Sequence, residues 1–202
     1  ANARDVHIQT AAQIFNIHEQ FVTPEQRSIG KRINFSIIYG QTAFGLSKAL
    51  KIKLSEAKNY IEAYFTQYSA VRPWMEATEK LARENGFVET LMGRRRYIPG
   101  LKEKNKHLYE AARRAAINTV IQGTAAEIIK KSMIELNQII KEKFPESALL
   151  LQIHDELVIE CPKEDANQLC EIVGTTMRSA VDWEVKLEIS TKIGDNWADV
   201  TK

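Results

Sequence analysis

The sequence has few of the residues and segments that mark secreted or membrane proteins. It contains two cysteines, Cys161 and Cys170, among its 202 residues. Their spacing fits neither a disulfide framework nor a zinc site, so we expect a reducing, cytoplasmic setting. No run of about 18 apolar residues occurs, and we therefore expect no membrane span. Residues 1–20 lack the basic start and apolar block of a signal peptide.

Charge is unevenly distributed along an otherwise ordinary composition. Hydrophobic residues make up 44% of the chain and charged residues 27%, as in globular proteins, and the net charge is +2. Residues 94–114 nevertheless contain eight Lys or Arg against two Glu, a local net charge of +6. Such a block favours a polyanionic partner, although a solvated basic surface explains it equally well when it is considered alone.

The hydrophobic pattern changes from a helical period to a strand period along the chain. Helices are predicted over residues 4–16, 24–39, 55–68, from after Pro73 to Asn85, 107–142 with a candidate break at Gly123, and 163–181. Hairpins are predicted around Met92-Gly93 and around His154-Asp155-Glu156, and strict alternation over residues 184–193 predicts one more strand. The expected fold class is α+β, with a helical part followed by an antiparallel sheet backed by helices.

One predicted helix carries a repeated pattern of cations and aromatic rings. Its start has Thr23, Pro24 and Gln26, which form a capping box with proline at the first helical position, and Gly40 can end it. Arg27, Lys31, Phe35 and Tyr39 recur every four residues. At 100° per residue they lie at about 0° to 120° around the helix, whereas Ile29, Ile33 and Ile37 lie at about 200° to 280°.

This spacing predicts a buried isoleucine face and an opposite face formed by the cations and rings. Like charges four residues apart repel unless an anion lies between them, and exposed rings are unusual unless something stacks on them. An elongated ligand, anionic at the helix N-terminus and flat at the other end, satisfies all four side chains. A helix packed on both faces, with a hydrated basic start, accounts for the spacing equally well.

The second predicted hairpin places acidic residues between two apolar strands, in the sequence LLLQIHDELVIE. A solvated turn is the ordinary interpretation, but Gly, Pro and Asn, the usual turn residues, are absent from it. Carboxylates on rigid strand ends suit Mg²⁺, which takes one or two carboxylates together with substrate phosphates. In phosphoryl transfer, two such ions steady the attacking and leaving oxygens.

These features, in this order, resemble family A DNA polymerases of the DNA polymerase I type. The resemblance covers the whole chain and rests on Arg-x3-Lys-x3-Phe-x3-Tyr-Gly at residues 27–40 together with DVHIQTAA, FVETLMGRRRYIP, INTVIQGTAAE, LLLQIHDELVIE and IGDNWADV. It implies a right-hand polymerase fold that is incomplete here, with a fingers subdomain at residues 1–112 and part of the palm at 113–202. It also implies template-directed DNA synthesis in replication or repair.

The resemblance assigns roles to matching positions. Arg27 and Lys31 would bind the triphosphate of an incoming dNTP with help from His7, and Lys31 would also give a proton to the leaving pyrophosphate. Phe35 would pack on the sugar and base and disfavour nucleotides without a 3′-hydroxyl. Tyr39 would stack at the templating position.

Further roles concern DNA and metal. Contacts to primer–template DNA are implied for Arg114, Asn118, Gln122 and His154. Asp155 would bind one of two catalytic Mg²⁺ ions, and Glu156 would support that site. Arg94–Arg96 would either assist DNA binding or hold structure.

The resemblance is incomplete upstream. The family's second metal-binding aspartate belongs to a motif like DYSQIELR that this sequence does not contain, and Asp155 with Glu156 is not the usual two-metal platform. The thumb and exonuclease domains also have no counterpart. We therefore expect activity only together with an upstream segment, on the same or a separate chain. Two alternatives stay open: a single-subunit RNA polymerase of the phage type, which Phe35 and Glu156 disfavour, and a non-catalytic nucleic-acid-binding module.

Overall fold

The computed structural model describes residues 5–200 and divides after Ile121 into two compact units. Its α+β class agrees with the sequence-based expectation. The division lies nine residues beyond the predicted boundary at residue 112, and the assignment of the two parts to fingers and palm stays a prediction. Each unit is described separately.

The first unit is mainly helical. Its helices are α1 (Val6–Phe15), α2 (Pro24–Ile38), α3 (Ala43–Leu50), α4 (Leu54–Gln67), α5 (Val71–Asn85) and α6 (Lys106–Asn118), with short 3₁₀ turns at Glu19–Phe21 and Pro99–Lys102. A hairpin of β1 (Phe87–Glu89) and β2 (Arg95–Tyr97) follows α5, in the register Val88 opposite Arg96. This hairpin was predicted around Met92-Gly93, and Gly93 has the positive φ of 86° that such a turn requires.

Helix α2 begins and ends where its sequence predicts. The Thr23 hydroxyl accepts a hydrogen bond from the Gln26 backbone N–H, and the Gln26 side chain accepts one from the Thr23 backbone N–H, which completes the capping box. Gly40, with φ of 71°, follows the C-cap residue Tyr39. The buried residues Ile33 and Ile37 join Leu46, Ala57 and Tyr64 in one hydrophobic core. The predicted isoleucine face is therefore confirmed at these two positions.

A second core of the first unit lies under the β1–β2 hairpin, and a polar network ties α5 to α6 beside it. The core contains Ala82, Val88, Ile98, Leu101 and Ala116. In the network, the Glu79 carboxylate accepts hydrogen bonds from the Tyr109 hydroxyl and from Arg113 Nε, the latter at 2.5 Å, while Arg83 Nη2 lies 3.3 Å away. Burial opposes ionisation of Glu79, but these partners outweigh it and lower its pKa below the ordinary 4.5.

Loss of this carboxylate should destabilise the first unit. A carboxylate whose pKa is lower in the folded state stabilises the fold above its unfolded pKa, and this contribution disappears as the pH falls through the folded pKa. Glu79→Gln should therefore lower the free energy of unfolding at pH 7 by about 1.5–3 kcal/mol, the range for hydrogen bonds to charged groups. Urea unfolding at pH 7 and at successively lower pH measures both effects, since the difference between the variant and the parent chain should shrink as the pH falls through the folded pKa of Glu79.

The matched control is Glu76→Gln, the same change at an exposed glutamate of α5. It should change the free energy of unfolding by less than about 0.5 kcal/mol. Equal losses in the two variants would show that the network contributes nothing specific.

The second unit combines long helices with a hairpin. Helix α7 (Thr124–Lys143) follows a π-helical turn over Thr119–Gly123, so the predicted break at Gly123 is real but takes the form of a widened turn. Strands β3 (Ala148–Ile153) and β4 (Glu156–Glu160) pair antiparallel, and α8 (Ala166–Ser179) and α9 (Trp197–Val200) follow. Two cores form where α7 and α8 pack on each other and on the hairpin, one around Leu136 and Met177, the other around Ile140, Phe144 and Leu169.

The strand predicted over residues 184–193 is wrong. This segment has no regular secondary structure, because β3 and β4 pair only with each other and no strand among residues 5–200 lies beside it. Val185 and Ile193 are 80% and 53% exposed, while Ile189 packs on the core around Met177. Alternation predicts a strand only where a partner edge is available. Over the same described range, no helix combines the length and the apolar character needed to cross a membrane.

Candidate functional site

Helix α2 exposes the predicted row of cations and rings on the face opposite its buried isoleucines. Arg27 and Lys31 are exposed, and Phe35 is 41% exposed, whereas Ile33 is fully buried. The rings of Phe35 and Tyr39 stack with their centroids 5.8 Å apart and their planes 22° from parallel. Lys31 Nζ lies 5.8 Å from the Phe35 centroid. The side chains therefore form one continuous surface that is cationic at one end and aromatic at the other.

An open cavity of about 430 Å³ lies against this row. Lys31, Phe35 and Tyr39 line it together with Arg32, Ser36 and Gln41. Its walls combine an ammonium group, aromatic faces and several hydrogen-bonding side chains. A volume of this size falls within the range of small-molecule sites, about 300–1,000 Å³.

The cation at the helix N-terminus is held by an aspartate that the sequence interpretation missed. Arg27 Nε donates to Asp5 Oδ2 at 2.8 Å, and Asp5 Oδ1 also caps α1 by accepting from the backbone N–H groups of His7 and Ile8. Burial opposes ionisation of Asp5, but these hydrogen bonds outweigh it and lower its pKa. Arg27 thus has a partner, so its repulsion of Lys31 does not require a ligand anion. The available signal for a capping residue was the position of Asp5 directly before Val6, the first apolar residue of the helical pattern.

His7 lies beside the aromatic part of the row. Its ring centroid is 5.7 Å from that of Phe35, with the rings tilted by 46°. Partial burial lowers the pKa of His7; the Asp5 charge opposes this, and the positive charges of Arg27 and Lys31 lower the pKa further. The first unit therefore brings together all five residues predicted to bind a nucleotide.

Close contact between α1 and α2 assembles this group, and Gly30 permits it. A Cβ atom at Gly30 would lie 2.3 Å from the His7 carbonyl oxygen and 3.1 Å from the Ala11 backbone nitrogen. Both atoms belong to the backbone of α1, which cannot move aside as a side chain can. Only glycine allows the two helices this separation.

The residues predicted to contact DNA are divided between the two units. Arg114 and Asn118 lie one turn apart on α6, and the Arg114 side chain packs beneath Gly40, where an added Cβ would lie 3.1 Å from Arg114 Cγ. Within the described residues 5–200, the buried Asn118 side-chain oxygen has no hydrogen-bond partner. Gln122 and His154 belong to the second unit, and both are exposed.

The arginines Arg94–Arg96 have partners within the first unit. Arg95 Nε donates to Glu89 at 2.7 Å, and its guanidinium lies 4.6 Å from the Phe87 centroid. Arg96 Nη1 donates to the Thr119 hydroxyl at 2.9 Å. These contacts favour a structural role for Arg95 and Arg96 over a role in DNA binding.

The predicted metal-binding carboxylate lies at the tip of the β3–β4 hairpin. The turn is shorter than predicted: it contains His154 and Asp155 only, because Glu156 pairs with Ile153 as the first residue of β4. His154 takes a φ of 53°, a conformation that histidine adopts more readily than most residues. Its carbonyl accepts a hydrogen bond from the Gln152 side chain. His154, Asp155 and Glu156 are all exposed.

These carboxylates fit a magnesium site in part. Within residues 5–200, no group of three or more His, Cys, Asp or Glu side chains is arranged to hold a metal ion. Mg²⁺ needs only one or two carboxylates when waters and substrate phosphates complete its octahedron. Asp155, with Glu156 next to it, can therefore supply a share of the ligands but not a complete protein site.

Comparison with known proteins agrees with this set of features. The sequence matches the family model for DNA polymerase family A over residues 1–199. The chain belongs to DNA polymerase family A. It is 43% identical over 195 residues to DNA polymerase I of Bacillus caldotenax, which covers 96% of this chain and 22% of that protein. It is 44% identical over 196 residues to DNA polymerase I of Caldicellulosiruptor bescii, covering 97% of this chain and 23% of that one.

A solved structure extends the family A relationship to the fold. The polymerase domain of Pol1 from M. smegmatis, in complex with DNA primer-template and dNTP, superposes with a TM-score of 0.87 at 40% identity. The match covers 91% of this chain and 32% of that one. The chain thus spans less than a quarter of the length of the two curated relatives described above.

Proposed function

We propose that this chain supplies the nucleotide-binding helix and one metal-binding aspartate of a template-directed DNA polymerase. The enzyme would transfer a nucleotidyl group from a dNTP to the 3′-hydroxyl of a primer. The observation that carries the proposal is the row from Arg27 to the half-buried Tyr39, cationic then aromatic, with a cavity of about 430 Å³ against its part from Lys31 to Tyr39. The Pol1 relative from M. smegmatis, whose complex contains primer-template and dNTP, supports the choice of ligands.

The residues of α2 would divide the binding of the nucleotide between them. Arg27 and Lys31, in the first half of α2, would bind the triphosphate, because their cationic side chains form charge-assisted hydrogen bonds with phosphate oxygens. His7 would add a hydrogen bond to the phosphates. Phe35 and Tyr39 would offer their faces to the sugar and to a base, and stacking of this kind is worth about 1–3 kcal/mol per base.

In the chemical step, the primer 3′-hydroxyl would lose its proton to water, and its oxygen would form a bond to the α-phosphorus while the bond to pyrophosphate breaks. Lys31 would give its proton to the departing pyrophosphate oxygen, acting as a general acid. Asp155 would hold Mg²⁺, with Glu156 in support; two such ions would lower the charge on the attacking and leaving oxygens. Arg114, Asn118, Gln122 and His154 would hold the primer–template. Polar side chains in the minor groove can check the shape of base pairs without reading sequence.

We further propose that the second metal-binding aspartate comes from outside these 202 residues. The partial ligand set at Asp155 supports this, as does the small share of each relative that the chain covers. The chain alone would then make little DNA.

A chimeric polymerase tests both proposals. The 202 residues replace the matching stretch of DNA polymerase I from Bacillus caldotenax, and primer extension is measured for the chimera, for the chain alone and for the relative's truncated remainder. We expect extension with dNTPs by the chimera only. A folded chimera that makes no DNA would refute the proposed function, and robust extension by the chain alone would refute the need for an outside aspartate. Preference for ribonucleotides would favour the phage-type RNA polymerase.

A further inference from the structure

Asn34 is a buried polar residue on the otherwise apolar face of α2. It is 4% exposed and lies between the buried residues Ile33 and Ile37 on a face that packs on α1 and α4. Its side chain has three polar neighbours. Asn34 Nδ2 lies 3.2 Å from the Val6 carbonyl oxygen and 2.9 Å from His7 Nδ1, and Oδ1 lies 2.8 Å from the Thr10 hydroxyl, which is also 2.9 Å from the Val6 carbonyl oxygen and has one proton to donate.

The Val6 contact fixes which way the Asn34 amide points. The Val6 carbonyl oxygen can only accept a hydrogen bond, so the amide atom facing it must be the NH₂ group. The same NH₂ group faces His7 Nδ1. Because an NH₂ group only donates, His7 Nδ1 must accept and cannot carry a proton. The proton of the neutral His7 ring is then on Nε2.

We propose that Asn34 is a positioning residue that keeps His7 neutral, with its proton on Nε2, so that His7 gives the nucleotide one hydrogen bond and no charge. The proposal rests on the proposed nucleotide-binding function, which it deepens by assigning the chemical form of one phosphate-binding group. Protonation of Nδ1 would place two donors against each other in a partly buried site, and a donor left without an acceptor there is destabilising.

The charges around His7 favour the same form. Among residues 5–200, Asp5, Arg27 and Lys31 are the charged groups that act on it, and Asp5 is already paired with Arg27 at 2.8 Å. A charged imidazolium would add a third cation beside Arg27 and Lys31. Burial of the ring and these two cations lower the pKa of His7, and the Asp5 charge only partly opposes them. The hydrogen bond from Asn34 and these charges therefore act in the same direction, toward the neutral ring.

Nitrogen-15 NMR of the complete chain, labelled at its four histidines, tests the proposal without any nucleotide. The signals of His7 are those that disappear in His7→Gln. We expect the parent chain to show His7 with its proton on Nε2 and to titrate below the ordinary histidine range. A His7 ring that carries its proton on Nδ1 at neutral pH would overturn the proposal. This measurement is made on the parent chain, so it does not depend on whether a variant at Asn34 folds.

Two substitutions separate positioning from packing. Asn34→Asp keeps the side-chain shape but places an acceptor at His7 Nδ1 and, at a cost in stability, beside the Val6 carbonyl oxygen, so the ring should gain a proton at Nδ1 and its titration should move to higher pH. Thr10→Val removes the partner of Asn34 Oδ1 and leaves the bond to His7 intact, so it should lower stability without changing the proton position. Equal effects of the two changes on the His7 signals would overturn the proposal.

The chimeric polymerase connects this form of His7 to nucleotide binding. Between about pH 6 and pH 8, the KM for dNTP should change less with pH in the parent chimera than in Asn34→Asp, in which His7 titrates within that range. Parallel pH profiles would overturn the functional half of the proposal. A folded parent chimera without any synthesis would instead count against the proposed function, while the NMR result on the chain still decides the form of His7.

Discussion

Asp155→Asn should abolish DNA synthesis by the chimeric polymerase while DNA binding is kept. An amide has nearly the shape of a carboxylate but lacks the charge that holds Mg²⁺. Loss of a single charge-stabilising group in phosphoryl transfer costs about 10³- to 10⁵-fold in kcat. We therefore expect kcat for primer extension to fall by at least about 10³-fold. The Kd for primer–template, measured by fluorescence anisotropy, should change by less than about threefold, because the phosphate contacts of cationic side chains supply most of the affinity.

The matched control is Asp182→Asn in the same unit. Asp182 is exposed, and its carboxylate accepts a hydrogen bond from Lys186 at 2.7 Å, an exposed pair of the kind that contributes little to stability. Synthesis by this variant should equal that of the parent. Survival of synthesis in Asp155→Asn would contradict the catalytic assignment and would favour the non-catalytic nucleic-acid-binding module.

Local sequence signals predicted the features of the fold that depend on neighbouring residues. The capping box of Thr23 and Gln26 forms within one turn, and the glycine that ends α2 needs only its own φ angle. The exposed row on α2 follows from helical geometry alone. Residues 184–193 show the opposite case, since a strand exists only if another strand pairs with it, and the alternation of side chains carries no information about such a partner.

The contacts that shape the candidate site depend on residues far apart in sequence. Arg27 bonds to a residue 22 positions away, and Asn34 bonds to His7 across 27 positions. The predicted repulsion between Arg27 and Lys31 considers only residues of α2. The ion pair of Arg27 with Asp5, the capping residue of α1, reduces that repulsion. Asn34 is a polar residue on the buried face of α2, and the sequence pattern of α2 does not show that it has a hydrogen-bond partner on another helix. Packing of α1 on α2 therefore had to be known first.

Gly30→Ala tests whether that packing determines the site. Two effects of opposite sign compete in this variant. Alanine stabilises a helix by about 1 kcal/mol relative to glycine. The new Cβ, however, would lie 2.3 Å from the His7 carbonyl oxygen and 3.2 Å from Ala11 Cβ, and Ala11 is fully buried. Overpacking against a fixed backbone costs about 3 kcal/mol. The free energy of unfolding, measured with urea, should fall by about 2 kcal/mol.

Gly45→Ala supplies the control for the propensity effect. Gly45 lies inside α3, and its added Cβ would meet only side-chain atoms of Gln41, at 2.8 Å and beyond. A flexible side chain can move away, so this variant should gain up to about 1 kcal/mol, and the two alanine variants should differ by about 3 kcal/mol. Separation of α1 from α2 would also draw His7 away from Asn34, so Gly30→Ala should change the His7 NMR signals and Gly45→Ala should not. A Gly30→Ala chain as stable as the Gly45→Ala chain would mean that the close approach of α1 and α2 is not what holds His7 beside Phe35.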